Sequence, residues 1–270
     1  MIDENHDPAE SMDELMLRFV PGMELCEAFY HEIVSPALDR CFSGLVYSAA
    51  KLHQGSDVLG FDTPQSMDHD WGPAKIDLFL QEADCSDLSE EIEMVLSKEL
   101  PHHFRGFPTD FEPDADGSTL GFVFVAEGPV SHRICCTTMK RFFHRCIGFN
   151  PLEPIAEADW LIVDPQKLRT ITSGKVFHDG LGELSTDQDS LRWYPRDVWL
   201  YLLSCQWGRI DQEEAFIARC GDVDDELGSR VLAARMVEEL MRLCFLMERQ
   251  YWPFGKWFET AFSGLDCAVT

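Results

Sequence analysis

Gly55-Ser56-Asp57-Val58-Leu59-Gly60-Phe61-Asp62, followed by Ser66-Met67-Asp68-His69-Asp70, decides how the rest of the chain is read. Successive side chains on a strand point to opposite faces, so Asp68 and Asp70 on a strand share one face. A carboxylate pair of this kind suits a divalent cation. Magnesium in particular is held by one or two carboxylates, with water and substrate phosphates completing its shell. Upstream, Gly55 permits close backbone approach, and the Ser56 hydroxyl with its neighbouring amides suits a phosphate anion. An ordinary surface loop has the same Gly, Ser, Asp, Thr and Pro composition. The combination of Gly-Ser, a second glycine and Ser-x-Asp-x-Asp running into an apolar segment favours metal and phosphate. Asp68-His69-Asp70 also carries the His-Asp dyad that metal-dependent phosphohydrolases use. Those enzymes set their ligands on a helical array, whereas His69 on a strand faces away from both aspartates.

The 270 residues suffice for one large domain or two small ones, and 45% hydrophobic with 26% charged residues is a globular balance. With 22 Lys+Arg against 48 Asp+Glu, the net charge is −26. Nucleic-acid binding through phosphates calls for a basic surface, so DNA or RNA is disfavoured as the main partner. A local basic pocket for one nucleotide remains compatible with that charge. No apolar run is long enough to cross a bilayer, and the N-terminus is acidic where a signal peptide is basic and then apolar. The ten cysteines are scattered, without a Cys-x-x-Cys pair, as expected of buried reduced thiols. We therefore expect a soluble cytoplasmic protein without a structural zinc site.

Residues 1–11 are acidic and polar and are expected to be disordered. Helical spacing over 12–42 predicts one or two helices, broken near Pro21-Gly22 and Pro36. A short strand within 44–53 would deliver Gly55-Ser56, and a second over 74–80 would start at or just after Asp70. A helix is expected from Asp87 to Leu100, then a loop over 105–118. Strands at 120–126 and 130–138 read as a hairpin, and a helix over Met139–Ile147 ends at Gly148. A strand over 176–178 ends in the Asp179-Gly180 turn. Beyond Pro195, a good helix start, the periodicity is helical throughout. The expected division is an α/β domain over 12–190 and a helical domain over 191–270.

The Gly-Ser and Asp-x-Asp order resembles the nucleotidyltransferase superfamily that includes DNA polymerase beta and minimal nucleotidyltransferases. A closer resemblance is to the uncharacterised family called domain of unknown function 4037. It is carried by the two stretches quoted above, by Trp193-Tyr194-Pro195-Arg196-Asp197-Val198-Trp199 and by Met241-Arg242-Leu243-Cys244-Phe245-Leu246-Met247-Glu248-Arg249. The resemblance implies an α+β fold: a small mixed sheet with flanking helices, then a helical bundle, which in this chain is shorter at its C-terminus than relatives are expected to be. It implies that Gly55 and Ser56 grip the triphosphate of ATP or another nucleoside triphosphate, while Asp68 and Asp70 hold Mg²⁺. A nucleoside monophosphate would pass to a small-molecule or protein acceptor, with Ser66 and Arg230 as further nucleotide contacts. Active members of the superfamily present a third carboxylate from a later strand. The corresponding run, His132-Arg133-Ile134-Cys135-Cys136-Thr137, contains no acid. Asp179 is the best substitute, ahead of Glu127 and Glu183, although Asp-Gly is also a common turn. Without a third acid the chain would be a nucleotide-binding or regulatory protein of the same fold.

Overall fold

A helix opens directly after Pro21. The structure is a computed structural model and describes residues 18–268 except 53, 54, 116 and 118; the acidic tail over 1–11 lies outside the described residues. The first helix of the described residues, α1 (Gly22–Phe29), passes through a π-helical turn (Tyr30–Val34) into α2 (Ser35–Cys41). The break expected at Pro36 does not occur. Pro36 stands in the first turn of α2, and the wider turn ahead of it absorbs the position that has no N–H to donate.

Two short strands follow, β1 (Tyr47–Lys51) and β2 (Asp77–Leu80), with the motif segment between them, and then α3 (Glu82–Glu99). After β3 (His103–Phe104), the stretch read as a loop contains its partner β4 (Phe107–Pro108) and β5 (Asp110–Pro113), which pairs with β6 (Leu120–Val123). The expected hairpin between 120–126 and 130–138 is absent. Its second arm has other partners: Val130 N donates to Ser97 O, Arg133 N to Ala74 O and Cys135 N to Ile76 O. The resulting strand, β7 (Cys135–Thr137), lies parallel to β2. Then come α4 (Met139–Ile147), α5 (Glu157–Ile162), α6 (Pro165–Ser173), β8 (Lys175–Asp179), α7 (Leu184–Ser190), α8 (Arg196–Asp222), α9 (Glu226–Met247) and α10 (Gly255–Phe262). Leu168–Ser173, directly ahead of β8, is the end of α6.

The main sheet has the order β7-β2-β1-β8, antiparallel except for β2 with β7, so it is the small mixed sheet of an α+β fold. Its strands are short, the two central ones β1 and β2 are buried, and the core forms on one face from Ala49, Leu78 and Leu80 with Leu25, Phe29, Ile92 and Leu96. Phe79, of opposite parity, packs edge-on against Phe142 of α4 with ring centroids 5.1 Å apart.

The chain divides into two compact units, 1–152 with 170–189 and 153–169 with 190–270. The sequence reading placed one boundary at 190/191, whereas the segment 153–169 groups with the C-terminal helices. Within that second unit α8 and α9 pack along one another, joined by Gln206, whose Nε2 donates to the Glu239 carboxylate at 2.7 Å and to its carbonyl at 2.8 Å. Pro195 precedes the first residue of α8, as its sequence position suggested.

Asp179 ends β8 opposite Ser48 and holds a turn. Its carboxylate accepts from Ser48 Oγ at 2.8 Å and from the amides of Gly182, Leu184 and Ser185 at 3.1, 3.3 and 2.9 Å. Burial works against its charge, but these bonds outweigh it and hold the carboxyl below its ordinary value. Asp179→Ala is expected to lose roughly 1–2 kcal/mol of stability, the usual consequence of removing a helix N-terminal cap. Urea unfolding measures the loss, and a variant as stable as the parent would refute the capping role.

Candidate functional site

Lys51, the last residue of β1, ends in the protein interior. Its ammonium lies 2.5 Å from Asp57 Oδ2, with both side chains 1% exposed, and 3.4 Å from the carbonyl of Gly72. Burial alone disfavours a charged lysine; Asp57 outweighs it, and the Lys51 pKa stands above its ordinary value. Asp57 Oδ1 accepts from the amide of Val58 at 2.9 Å, turning the chain just after Gly55-Ser56. A Cβ on Gly55 would collide with that same Asp57 oxygen, so only glycine fits there. Asp62 accepts from Gly22 N at 2.7 Å, at the positive end of α1, and from Trp71 Nε1 at 2.9 Å. The motif segment is thus anchored to the sheet by Lys51 and to the first helix by Asp62.

Asp68 and Asp70 do not lie on a strand. Asp68 closes a 3₁₀ turn (Pro64–Asp68), His69 is extended, and Asp70 has a left-handed φ of 52°. The strand begins seven residues after Asp70, at Asp77. Period-two alternation therefore does not orient the pair. Asp68 Oδ1 lies 2.8 Å from His69 Nδ1, and Asp70 Oδ1 lies 2.5 Å from Arg133 Nη1. The two carboxylates are 48% and 38% exposed, which leaves them open to a cation from solvent. Ser66 accepts from Thr63 N at 3.1 Å and so caps the 3₁₀ turn.

Lys75 joins the two halves of the motif. Its side chain is buried, its Nζ lies 3.4 Å from the carbonyl oxygen of Asp70, and a Cβ on Gly55 would come within 3.7 Å of it. Burial first, then the positive charges of Lys51 and Arg133, lower its pKa to about 8 against the pull of Asp57 and Asp70. Lys51, Lys75 and Arg133 thus gather around the motif of a chain whose net charge is −26. None of the three was singled out from the sequence. The available signal was Lys75 and Asp77 within the otherwise apolar run Ala74–Leu80, because a charge inside a buried strand requires a partner.

The other residues named from the sequence lie elsewhere. Asp179 pairs with Ser48, three residues from Lys51 and so about 10 Å back along β1 from the motif end. Asp77, opposite Ala50, is the acid at that end of the sheet. It is buried, and burial raises its carboxyl to about 6 although Arg145, Lys75, Lys51 and Arg133 all pull it down. Arg230 belongs to the second unit, where it forms an exposed pair with Glu226 on α9 at 3.0 Å. Arg242 pairs with Glu238, and Arg209 with the buried Glu239. Among the described residues no three His, Cys, Asp or Glu side chains gather closely enough to hold a metal unaided. The carboxylate oxygens of Asp68 and Asp70 nonetheless suit magnesium, which takes hard oxygen donors and retains waters or phosphates in its shell.

Residues 160–258 match a family model described as domain of unknown function (DUF4037). The match contains Trp193–Trp199 and Met241–Arg249 and leaves Gly55 to Arg133 outside it. The DUF4037 segment includes α6, β8 and the long helices α8 and α9. No curated protein and no solved structure matches the chain.

Lys51→Met leaves Asp57 buried without its counter-charge and is expected to cost roughly 3–5 kcal/mol in urea unfolding. A loss below about 1 kcal/mol, the range of exposed pairs, would show that water reaches Asp57. Asp77 has the opposite sign. Its folded pKa of about 6 exceeds the ordinary 3.8, so the folded state binds the proton more tightly and stability falls as pH rises from about 4 to about 6. Asp77→Asn removes that dependence, and the variant gains up to roughly 3 kcal/mol over the parent at pH 7, with the gap closing near pH 4. An equal gap at both pH values would contradict the assignment.

Proposed function

We propose that this protein is a Mg²⁺-dependent nucleotidyltransferase-like enzyme. It would pass a nucleoside monophosphate from ATP or another nucleoside triphosphate to a small-molecule or protein acceptor. The observation that carries this reading is Lys75, whose one amine neighbours both Gly55 and Asp70. That proximity supports reading the Gly55-Ser56 loop and the Asp70 segment as two sides of one site.

In this reading the amides and hydroxyl of Gly55-Ser56 bind the triphosphate, and the Lys75 ammonium balances its charge. Asp68 and Asp70 hold Mg²⁺, which when bound neutralises charge on the phosphate oxygens. An acceptor hydroxyl attacks the α-phosphorus, the bond to the bridging oxygen breaks, pyrophosphate leaves and the hydroxyl proton passes to water. The interior anchors at Asp57 and Asp62 keep the loop in place for binding. All ten cysteines are free, which supports reading the protein as cytoplasmic; no helix of the described residues is long and apolar enough to cross a membrane.

A second reading has an observation of its own. Where the superfamily pattern calls for an acid, the segment leading into β7 brings Arg133 to Asp70. That favours a protein which binds nucleotide and metal without turnover, in a regulatory role. Pyrophosphate release with each nucleoside triphosphate, Mg²⁺ and an acceptor panel separates the two. Turnover that drops at least about 100-fold in Asp68→Asn and Asp70→Asn supports the enzyme. Metal-dependent binding without release on any acceptor supports the binding protein. Nucleotide binding indifferent to both aspartates would refute both.

A further inference from the structure

The chain places an arginine against the carboxylate that the reading above gives to magnesium. Arg133 is fixed at its backbone, where its N–H donates to Ala74 O at 3.1 Å, one residue from Lys75. Its guanidinium rests 5.8 Å from the Phe111 ring centroid and reaches Asp70 Oδ1 at 2.5 Å. The pair is neither sealed nor fully exposed, with side chains 22% and 38% accessible. A divalent cation on Asp70 and a guanidinium on the same carboxylate repel one another, so one displaces the other. Guanidinium has five donors in a planar fork that matches phosphate oxygens, and on leaving Asp70 it stays beside Lys75 because its backbone is held.

We propose that Arg133 is a phosphate-binding residue held in reserve on Asp70, and that a cation taking Asp70 releases it to the triphosphate bound at Gly55-Ser56. This rests on the nucleotide and metal reading above. It makes metal and polyphosphate binding mutually reinforcing, each removing the partner that opposes the other. It also gives the acid-free run before β7 a use: that segment supplies a cation to the site.

The test uses the full chain and two simple probes, Mn²⁺ followed by electron paramagnetic resonance and tripolyphosphate followed by calorimetry. Without tripolyphosphate, Arg133→Ala is expected to bind Mn²⁺ about fivefold more tightly than the parent, the worth of one partly exposed ion pair. With Mn²⁺ present, the same variant is expected to bind tripolyphosphate at least about fivefold more weakly. Arg133→Lys keeps a charge but not the fork, so it too weakens tripolyphosphate binding, which serves if the alanine variant does not fold. Unchanged or weaker Mn²⁺ binding in a folded Arg133→Ala, with Asp70→Asn still abolishing it, overturns the role of Arg133 alone. Mn²⁺ binding that ignores Asp68 and Asp70 in every background overturns the metal reading as well.

Discussion

The buried ion pair between Lys51 and Asp57 is the constraint on which the first unit depends. A lysine and an aspartate withdrawn from water are stabilised only by each other and by the polar groups around them. Satisfying them fixes the geometry of everything nearby. The pair ties the end of β1 to the turn after Gly55-Ser56, and Lys51 also reaches the Gly72 carbonyl on the approach to β2. The packing is close enough that a Cβ on Gly22, at the start of α1, would collide with Trp71 and Asp57. A charge pair that contributes little net stability can still specify one arrangement of three segments, because any other arrangement leaves a charge alone in the interior.

Much of this was legible in the sequence. The two central strands, the helix over Met139–Ile147 and the Pro195 helix start were visible as periodicity and punctuation, which local backbone chemistry enforces. The motif was legible as a unit because glycine and paired aspartates announce themselves. The conformation of Asp70 was not. A left-handed aspartate after a 3₁₀ turn is set by contacts with Arg133 and Lys75, which are remote in sequence or obscured by an apolar run. The pairing of β7 with β2 escaped for a similar reason. An apparent hairpin around Glu127-Gly128-Pro129 satisfies local rules, yet Ser97, Ala74 and Ile76 accept the hydrogen bonds that the hairpin would have used.

The first unit carries its buried cations inside a strongly acidic chain. A strongly acidic protein keeps polyanions away from most of its surface, while Lys51, Lys75 and Arg133 gather near the motif, interleaved with Asp57 and Asp70.

The helix α6 starts in one compact unit and ends in the other, because the division falls between Arg169 and Thr170. The segment recognised as DUF4037 begins ahead of that helix and includes β8, whose hydrogen-bonding partner is β1. A stretch recognised by its sequence is thus not a stretch that folds by itself. Excised at 160–258, it would carry an unpaired strand away from its sheet, and the sheet would be left with an open edge at β1. The physical limits of the folded object are those of the sheet, and they lie outside the part that similarity detects.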